Sequence, residues 1–435
     1  MASITSQALA PAAFQLADRT RHQTAIRLLP FLFVLYVANY LDRTSLAYAA
    51  IGMSRDLGFT DRVIGLGVGV FFIGYVALQI PGALVVERWS ARGMISITMI
   101  AWGLMTALTA LVHTPAQLYA ARFVLGAAEA GFFPGVIVYL SHWFPQADRA
   151  KATSNFMSAI PLSFVIGSPL AGAILGQRWF SLAGWRWLFI LEGLPAIVLG
   201  AIAYFYLTDL PAQAKWLTGE QRDSLESCLC NERNTLTKAP PVMQALRSPT
   251  ILIITAAYVF NNFTFYSLLF WLPTMMKRLT GFSDARVGML GALPYIALFL
   301  AMLGNGWHSD KKFERRWHSA APVLLAAAGF CGLVMQPHSF SILLLLFTVA
   351  TVGGSYLPVL WAMPTEYLSK SAAAAAVGMI NAIGSIPGFA GPYLFGYLST
   401  KSGSFSAGLA VLMATALAGG LVVLCAPKSR EALGR

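Results

Sequence analysis

Charge is scarce in this chain of 435 residues: Asp, Glu, Lys and Arg make up 11% of it and hydrophobic residues 57%, where an ordinary soluble domain carries about 25% charged residues. Such a chain cannot cover a soluble surface and reads as a protein that crosses a lipid bilayer many times. Cysteine is almost as rare. Cys228, Cys230, Cys331 and Cys425 are too few and too scattered for a disulfide framework, and Cys228 and Cys230 have no further His or Cys nearby with which to hold a metal. The six histidines, among them His142, His308 and His318, show no metal-ligand spacing. HExxH, a Gly-rich phosphate cradle and a Ser/His/Asp grouping are all missing, which argues against an enzyme and against a nucleotide-driven pump. No metal and no cofactor is expected.

Long apolar runs are what the chain has instead. Twelve segments reach the ~20 residues that a helix needs to cross the hydrocarbon core, near residues 28–50, 63–86, 93–113, 116–142, 152–176, 184–207, 249–276, 285–307, 319–336, 339–363, 372–398 and 404–426. The first run is too long for a cleaved signal peptide and lacks a small-residue cleavage site, so the first helix is expected to stay. A net charge of +12 would suit nucleic acid if it were clustered, but it follows topology. With both termini in the cytoplasm, twenty Lys and Arg fall in inside segments, eight fall in outside loops, and Arg43 and Arg122 lie within helices. This positive-inside bias fixes the orientation of a multi-pass membrane protein, with lipid rather than nucleic acid as its surroundings.

The one substantial hydrophilic stretch, residues 208–248, parts the helices six and six. It predicts an N-terminal bundle over 28–207, a cytoplasmic linker with a short surface helix over 208–248, a C-terminal bundle over 249–426, and cytoplasmic tails at 1–27 and 427–435. The halves echo each other at a displacement of 223 positions: Glu87, Arg88 and Arg92 recur as Asp310, Lys311 and Arg315, Asn39 as Asn262, and Pro169 as Pro392. Parallel repeats of this kind build transporters whose substrate site lies at the midplane between the halves.

Two pairs of opposite charge sit where lipid should forbid them, Asp42 with Arg43 inside residues 28–53 and Arg122 with Glu129 inside 118–144. A charge at the centre of a membrane helix costs roughly 2.5–3.5 kcal/mol on insertion scales, so these four mark a path or a site. A guanidinium never deprotonates and grips a carboxylate with two parallel hydrogen bonds, which makes Arg43 the first candidate ligand for an anion. Arg122 and Glu129 are seven residues apart and share a helix face about 10 Å apart along the axis, so each can trade partners with the first helix and free an arginine for substrate. Asp42 and Glu129 are the candidate proton carriers, since a carboxylate in a dry cavity can exchange its proton near neutral pH. A static ion cluster tying the first helix to the fourth is the competing reading. Glu192, beside Gly193 and Pro195, is read as structural.

Three strings carry a resemblance: residues 39–43 (NYLDR), residues 121–135 (ARFVLGAAEAGFFPG) and residues 306–310 (GWHSD) followed by 314–318 (ERRWH). On these the chain resembles the major facilitator superfamily, and within it the anion:cation symporter family of tartrate, phthalate, hydroxyphenylacetate and sugar-acid permeases. The resemblance implies an all-α fold of twelve transmembrane helices in two pseudo-symmetric six-helix bundles. It also implies that Arg43 contacts a substrate carboxylate, that Asp42 and Glu129 couple protons, and that Tyr40, Tyr75, Trp361 and Asn381 complete the cavity. Asn261, Asn262 and Tyr266 are added for their polarity, with interhelical glue as the alternative role. The family uses the loop charges Glu87, Arg88, Arg92, Asp310, Lys311 and Arg315 as a gate, and Glu366 is expected to join them. Ala159, Ile160 and Pro161 stand where sugar-acid members offer a polar amide, which favours a less hydroxylated or an aromatic acid while leaving a dicarboxylate such as tartrate open. The expectation is a monomeric proton-coupled importer of an organic carboxylate. An efflux antiporter, a facilitator and a non-transporting nutrient sensor are its rivals.

Overall fold

The structure, a computed structural model, describes residues 2–235, 248–335, 339–367 and 370–427. The chain runs through α1 (Ala2–Leu57), α2 (Asp61–Arg88), α3 (Ala91–Thr109), α4 (Pro115–Glu129), α5 (Phe132–Trp143), α6 (Gln146–Met157), α7 (Ala159–Leu175) and α8 (Gly184–Tyr206) in the first half. The linker helix α9 (Gly219–Thr235) follows. The second half holds α10 (Pro249–Thr280), α11 (Asp284–Lys312), α12 (Arg316–Val334), α13 (Phe340–Val352), α14 (Leu357–Tyr367), α15 (Lys370–Ser385), α16 (Pro387–Ser402) and α17 (Ser406–Leu424). Among the described residues eleven stretches are long and apolar enough to cross a membrane, and α15 with α16 fills the twelfth place, so the fold is the predicted pair of six-helix bundles.

Four predicted helices are broken, each by proline. Pro134, Pro161, Pro358 and Pro387 lack the N–H that the carbonyl four residues earlier would accept, and those carbonyls belong to Ala130, Met157, Gly354 and Ile383. The breaks fall there: between α4 and α5, between α6 and α7, at a 3₁₀ turn over Gly353–Tyr356, and between α15 and α16. The first helix departs in the other direction, being helical from Ala2 rather than from residue 28. Its opening residues are polar yet rich in good helix formers, and they are held from the side. Gln23 Nε2 donates to the Trp216 carbonyl at 3.3 Å and Arg21 reaches Asp148 at 3.4 Å.

The repeat extends to turn chemistry. Gly58 and Gly281 are 223 positions apart and both have φ of +68°, a left-handed conformation that glycine adopts without steric penalty. Two residues on, Thr60 accepts the Val63 N–H and Ser283 accepts the Arg286 N–H, and Asp61 and Asp284 follow in the first turns.

The halves meet along α2 with α16 and α7 with α11. A Cβ on Gly288 would lie 2.6 Å from the Gly172 Cα, and Ser168 Oγ donates to the Gly288 carbonyl at 2.7 Å, so these helices approach as closely as small residues allow. At the end where α1 and α10 stop, buried Asp61 accepts both Arg278 Nη atoms at 2.5 and 2.6 Å and Ser399 Oγ at 2.7 Å, while the Arg62 N–H donates to Thr400 Oγ1 at 2.9 Å. This end is therefore closed by a latch between halves. Asp61→Asn is expected to raise the population open at this end roughly tenfold, the effect of ~1.4 kcal/mol on a two-state equilibrium. Spin labels at Arg55 and Lys401 would report it as a gain in long distances, and an unchanged distribution would show that the latch holds nothing.

Candidate functional site

Consecutive residues of a helix point about 100° apart, and α1 uses this to send Asp42 and Arg43 to different partners. Arg43 forms an ion pair with Glu129 at the last turn of α4, and both side chains are buried, at 7% and 1% exposure. Asp42 is completely buried, with Thr106 of α3 and Arg122 of α4 as its polar neighbours. The four charges thus sort into two crossed sets, Arg43 with Glu129 and Arg122 with Asp42. Phe71 of α2 separates them: its ring centre lies 5.5 Å from the Arg43 guanidinium carbon and 4.8 Å from that of Arg122, both within cation–π range.

The cluster is short of hydrogen bonds. All three Arg122 nitrogens and Glu129 Oε2 are buried with no partner among the described residues, and the Asp42 carboxylate has the Thr106 hydroxyl beside it but makes no well-formed hydrogen bond. Leaving a buried polar group unpaired costs on the order of 1–3 kcal/mol. A fold that tolerates so many in one place is holding them ready for something else, such as water, a proton or a ligand.

Around Arg43 the surroundings are aromatic. Tyr40 and Tyr75 lie 5.0 and 5.2 Å from its guanidinium carbon, and Tyr36 and Tyr266 are also near it. Tyr36 packs edge-on against Tyr40 and stacks on Phe156, with centroids 4.0 Å apart. Tyr266, from α10, reaches across the interface onto Phe72 at 4.9 Å. The position 223 residues beyond Arg43 is this same Tyr266, and that beyond Asp42 is Phe265. The charges therefore belong to one half: the repeat equivalents of Asp42 and Arg43 are rings, and those of Arg122 and Glu129 are Leu345 and Val352.

The remaining candidates in the second half lie farther from the charges. Trp361 packs edge-on to Tyr258 at 5.0 Å, and its Nε1 has no partner among the described residues. Asn381, half-buried on α15, accepts Ser385 Oγ on its carbonyl at 2.8 Å. Asn262 donates to the Gly384 carbonyl at 2.8 Å and accepts the Tyr356 hydroxyl at 3.1 Å, so its amide ties α10 to two neighbouring segments. Asn261 and Tyr266 part company: Asn261 lines a cavity within the second half together with Thr264, Tyr295 and Tyr356, away from the charges.

Of the gate residues, the side chains of Glu87, Arg88 and Glu366 lie outside the described residues. Arg92 is held by Asp209, at 3.6 Å from its Nε, and its N–H donates to the same carboxylate at 2.9 Å. In the second half Arg315 reaches Asp310 at 2.5 Å and Lys311 lies over the Trp307 ring at 5.0 Å. Asp209, Phe71, Thr106 and the Asp61–Arg278 pair were not singled out from sequence. Asp209 follows the sixth apolar segment directly, which is the one signal that could have flagged it.

A twelve-helix membrane bundle with buried opposite charges between two repeated halves defines a multi-pass secondary transporter of a small molecule, not an enzyme. Comparison with known proteins places it further. The Major Facilitator Superfamily model matches residues 32–392 and 255–434, and the chain belongs to that family. A candidate tartrate transporter of Agrobacterium vitis is 41% identical over 397 residues, covering 91% of each chain. The inner membrane transport protein RhmT of Escherichia coli is 35% identical over 94% of this chain and 95% of its own, and a quinolone resistance transporter of Acinetobacter baumannii is 34% identical over 90% and 91%. Among solved structures, a bacterial homolog of the human lysosomal transporter Spinster aligns with a TM-score of 0.78 over 95% of this chain and 98% of its own at 20% identity. The D-xylose–proton symporter aligns at 0.74 over 93% and 98% at 16% identity.

Proposed function

We propose that the protein imports an organic carboxylate together with protons across a bacterial inner membrane, as a monomer with both termini in the cytoplasm. The observation that carries the reading is the buried Arg43–Glu129 ion pair. An arginine already matched to a carboxylate is matched to a substrate carboxylate as well, and the two compete for it. A proton on Glu129 ends its claim on Arg43 and lets the acid take its place. Asp42, with Arg122 beside it, is the second proton carrier and discharges toward the cytoplasm when the halves rock open. The ring of Tyr36, Tyr40, Tyr75 and Tyr266 supplies hydroxyls around Arg43, in place of the amide that Ala159, Ile160 and Pro161 do not offer. That supports a small hydroxylated dicarboxylate of the tartrate kind ahead of a purely aromatic acid, in line with the relative named for tartrate.

Purified protein in proteoliposomes tests this. An imposed inward proton gradient should accelerate tartrate accumulation, while phthalate, hydroxyphenylacetate and hexonates serve as comparisons. Accumulation indifferent to the gradient would point to a facilitator, acceleration by an outward gradient to an antiporter, and binding without uptake to a sensor.

A further inference from the structure

We propose that Glu192 is a third proton-binding residue, relaying protons between the latched end of the molecule and Asp42 through the Thr106 hydroxyl. The proposal rests on the proton-coupled reading above and adds a path to it.

Glu192 sits in α8 at 7% exposure, and its Oε2 is buried without a partner among the described residues. A glutamate kept for structure would be expected to spend its charge on a cation or on backbone N–H groups, and among the described residues it has neither. Its ionisable neighbours are Asp42 and Tyr48 of α1. The other helices against α8 bring no ionisable group there. α7 contains none, and the one such residue of α3, Arg92, lies at the opposite end in contact with Asp209.

The contact between α3 and α8 explains how the two carboxylates are linked. The helices cross at glycines on both sides: a Cβ on Gly103 would lie 2.7 Å from the Gly193 carbonyl oxygen, and one on Gly193 would lie 2.9 Å from the Ala107 nitrogen. Glu192 and Thr106 each adjoin this crossing in sequence. Thr106 is 1% exposed, and its Oγ1 lies next to Asp42 without a well-formed hydrogen bond among the described residues. Two carboxylates and one hydroxyl, all short of hydrogen bonds, thus gather where α1, α3 and α8 meet.

Their order along the membrane normal gives the relay a direction. Asp42 lies fifteen residues before the end of α1 at Leu57, and Glu192 eight residues after the start of α8 at Gly184. Those two ends are not level, because Trp185 packs against Gly52, and counting from that contact at 1.5 Å per residue puts Glu192 roughly 5 Å nearer that end. A proton arriving there binds the Glu192 carboxylate. The Thr106 hydroxyl then accepts it and passes its own proton to Asp42, which leaves Glu192 ionised and Thr106 unchanged. The repeat offers no second copy of this path, because the position 223 residues beyond Glu192 is Thr415, which bonds Thr264 at 2.9 Å.

Glu192→Gln, Glu192→Asp and Thr106→Val in proteoliposomes test the relay. Glu192→Gln should lose at least about tenfold of gradient-driven tartrate uptake, in the range that general acid–base groups contribute, and its uptake should no longer follow the wild-type pH profile. Binding of tartrate in a thermal-shift assay should persist, Glu192→Asp should recover most of the uptake, and Thr106→Val should reproduce the Gln phenotype. Wild-type gradient dependence in a folded Glu192→Gln protein would overturn the relay alone. If Glu192→Gln does not fold, a wild-type pH profile in Thr106→Val overturns it instead. A wild-type protein indifferent to the gradient would overturn the proton-coupled reading and the relay with it.

Discussion

Arg43→Ala should abolish accumulation of the acid, and Arg43→Lys should weaken its binding by roughly ten- to a hundredfold, the factor that about 1.4–2.8 kcal/mol gives. The lysine keeps the charge but loses the planar fork that matches a carboxylate with two parallel hydrogen bonds. It also loses part of its setting, because Tyr40, Tyr75 and Phe71 present ring faces to a flat guanidinium, at 5.0, 5.2 and 5.5 Å. Titration calorimetry of the two variants against wild type, with tartrate as the probe, separates charge from shape. Equal affinity in Arg43→Lys would show that Arg43 acts as a point charge only, and unimpaired uptake in Arg43→Ala would remove it from the substrate site.

Glu129→Gln should bind the acid more tightly, by at least about tenfold, and yet lose acceleration by a proton gradient. Removing one member of a buried ion pair leaves the other charge uncompensated, a loss typically of 3–5 kcal/mol. Arg43 is that other charge, so the empty variant should melt below wild type and regain much of the difference when an anion arrives. A substrate-dependent rise in melting temperature larger than that of wild type would be the signature. If affinity is unchanged, Glu129 does not compete with substrate. If gradient-driven accumulation survives, the proton is carried elsewhere.

The charged cluster was legible because lipid penalises charge so steeply that four ionised residues in apolar runs need a reason. The repeat was legible from a few displaced residues, and the turns at Gly58 and Gly281 extend it. Each helix break has a proline beside it, but Pro169 and Pro392 lie inside unbroken helices, and a hydropathy window is blind to the carbonyl that Pro134 or Pro358 leaves unmatched. The start of α1 was hidden for the converse reason: residues 2–27 are less apolar than a membrane span and include Pro11, so nothing local marks them as part of the helix that runs through them. Contacts made by distant segments had no local mark at all. Asp61 and Arg278 are 217 positions apart, and each alone reads as a residue at a helix end. Asn262 stood out for its polarity, while the Gly384 carbonyl that occupies its amide is visible only in the fold. Thr106, an unremarkable hydroxyl in an apolar helix, acquires interest only beside Asp42.

Arg43 and Arg122, on either side of Phe71, are balanced by Asp42 and Glu129, so the formal charges of the empty pocket cancel. Cargo bearing one carboxylate would unbalance it by a single unit, and a dicarboxylate by two, in surroundings that tolerate neither. If the proposed proton coupling holds, one hydrogen ion per carboxylate restores neutrality before the loaded halves swing. On that account a dianion travels with two protons, the loaded carrier crosses without net charge, and the concentration ratio of protons, rather than the membrane voltage, drives accumulation.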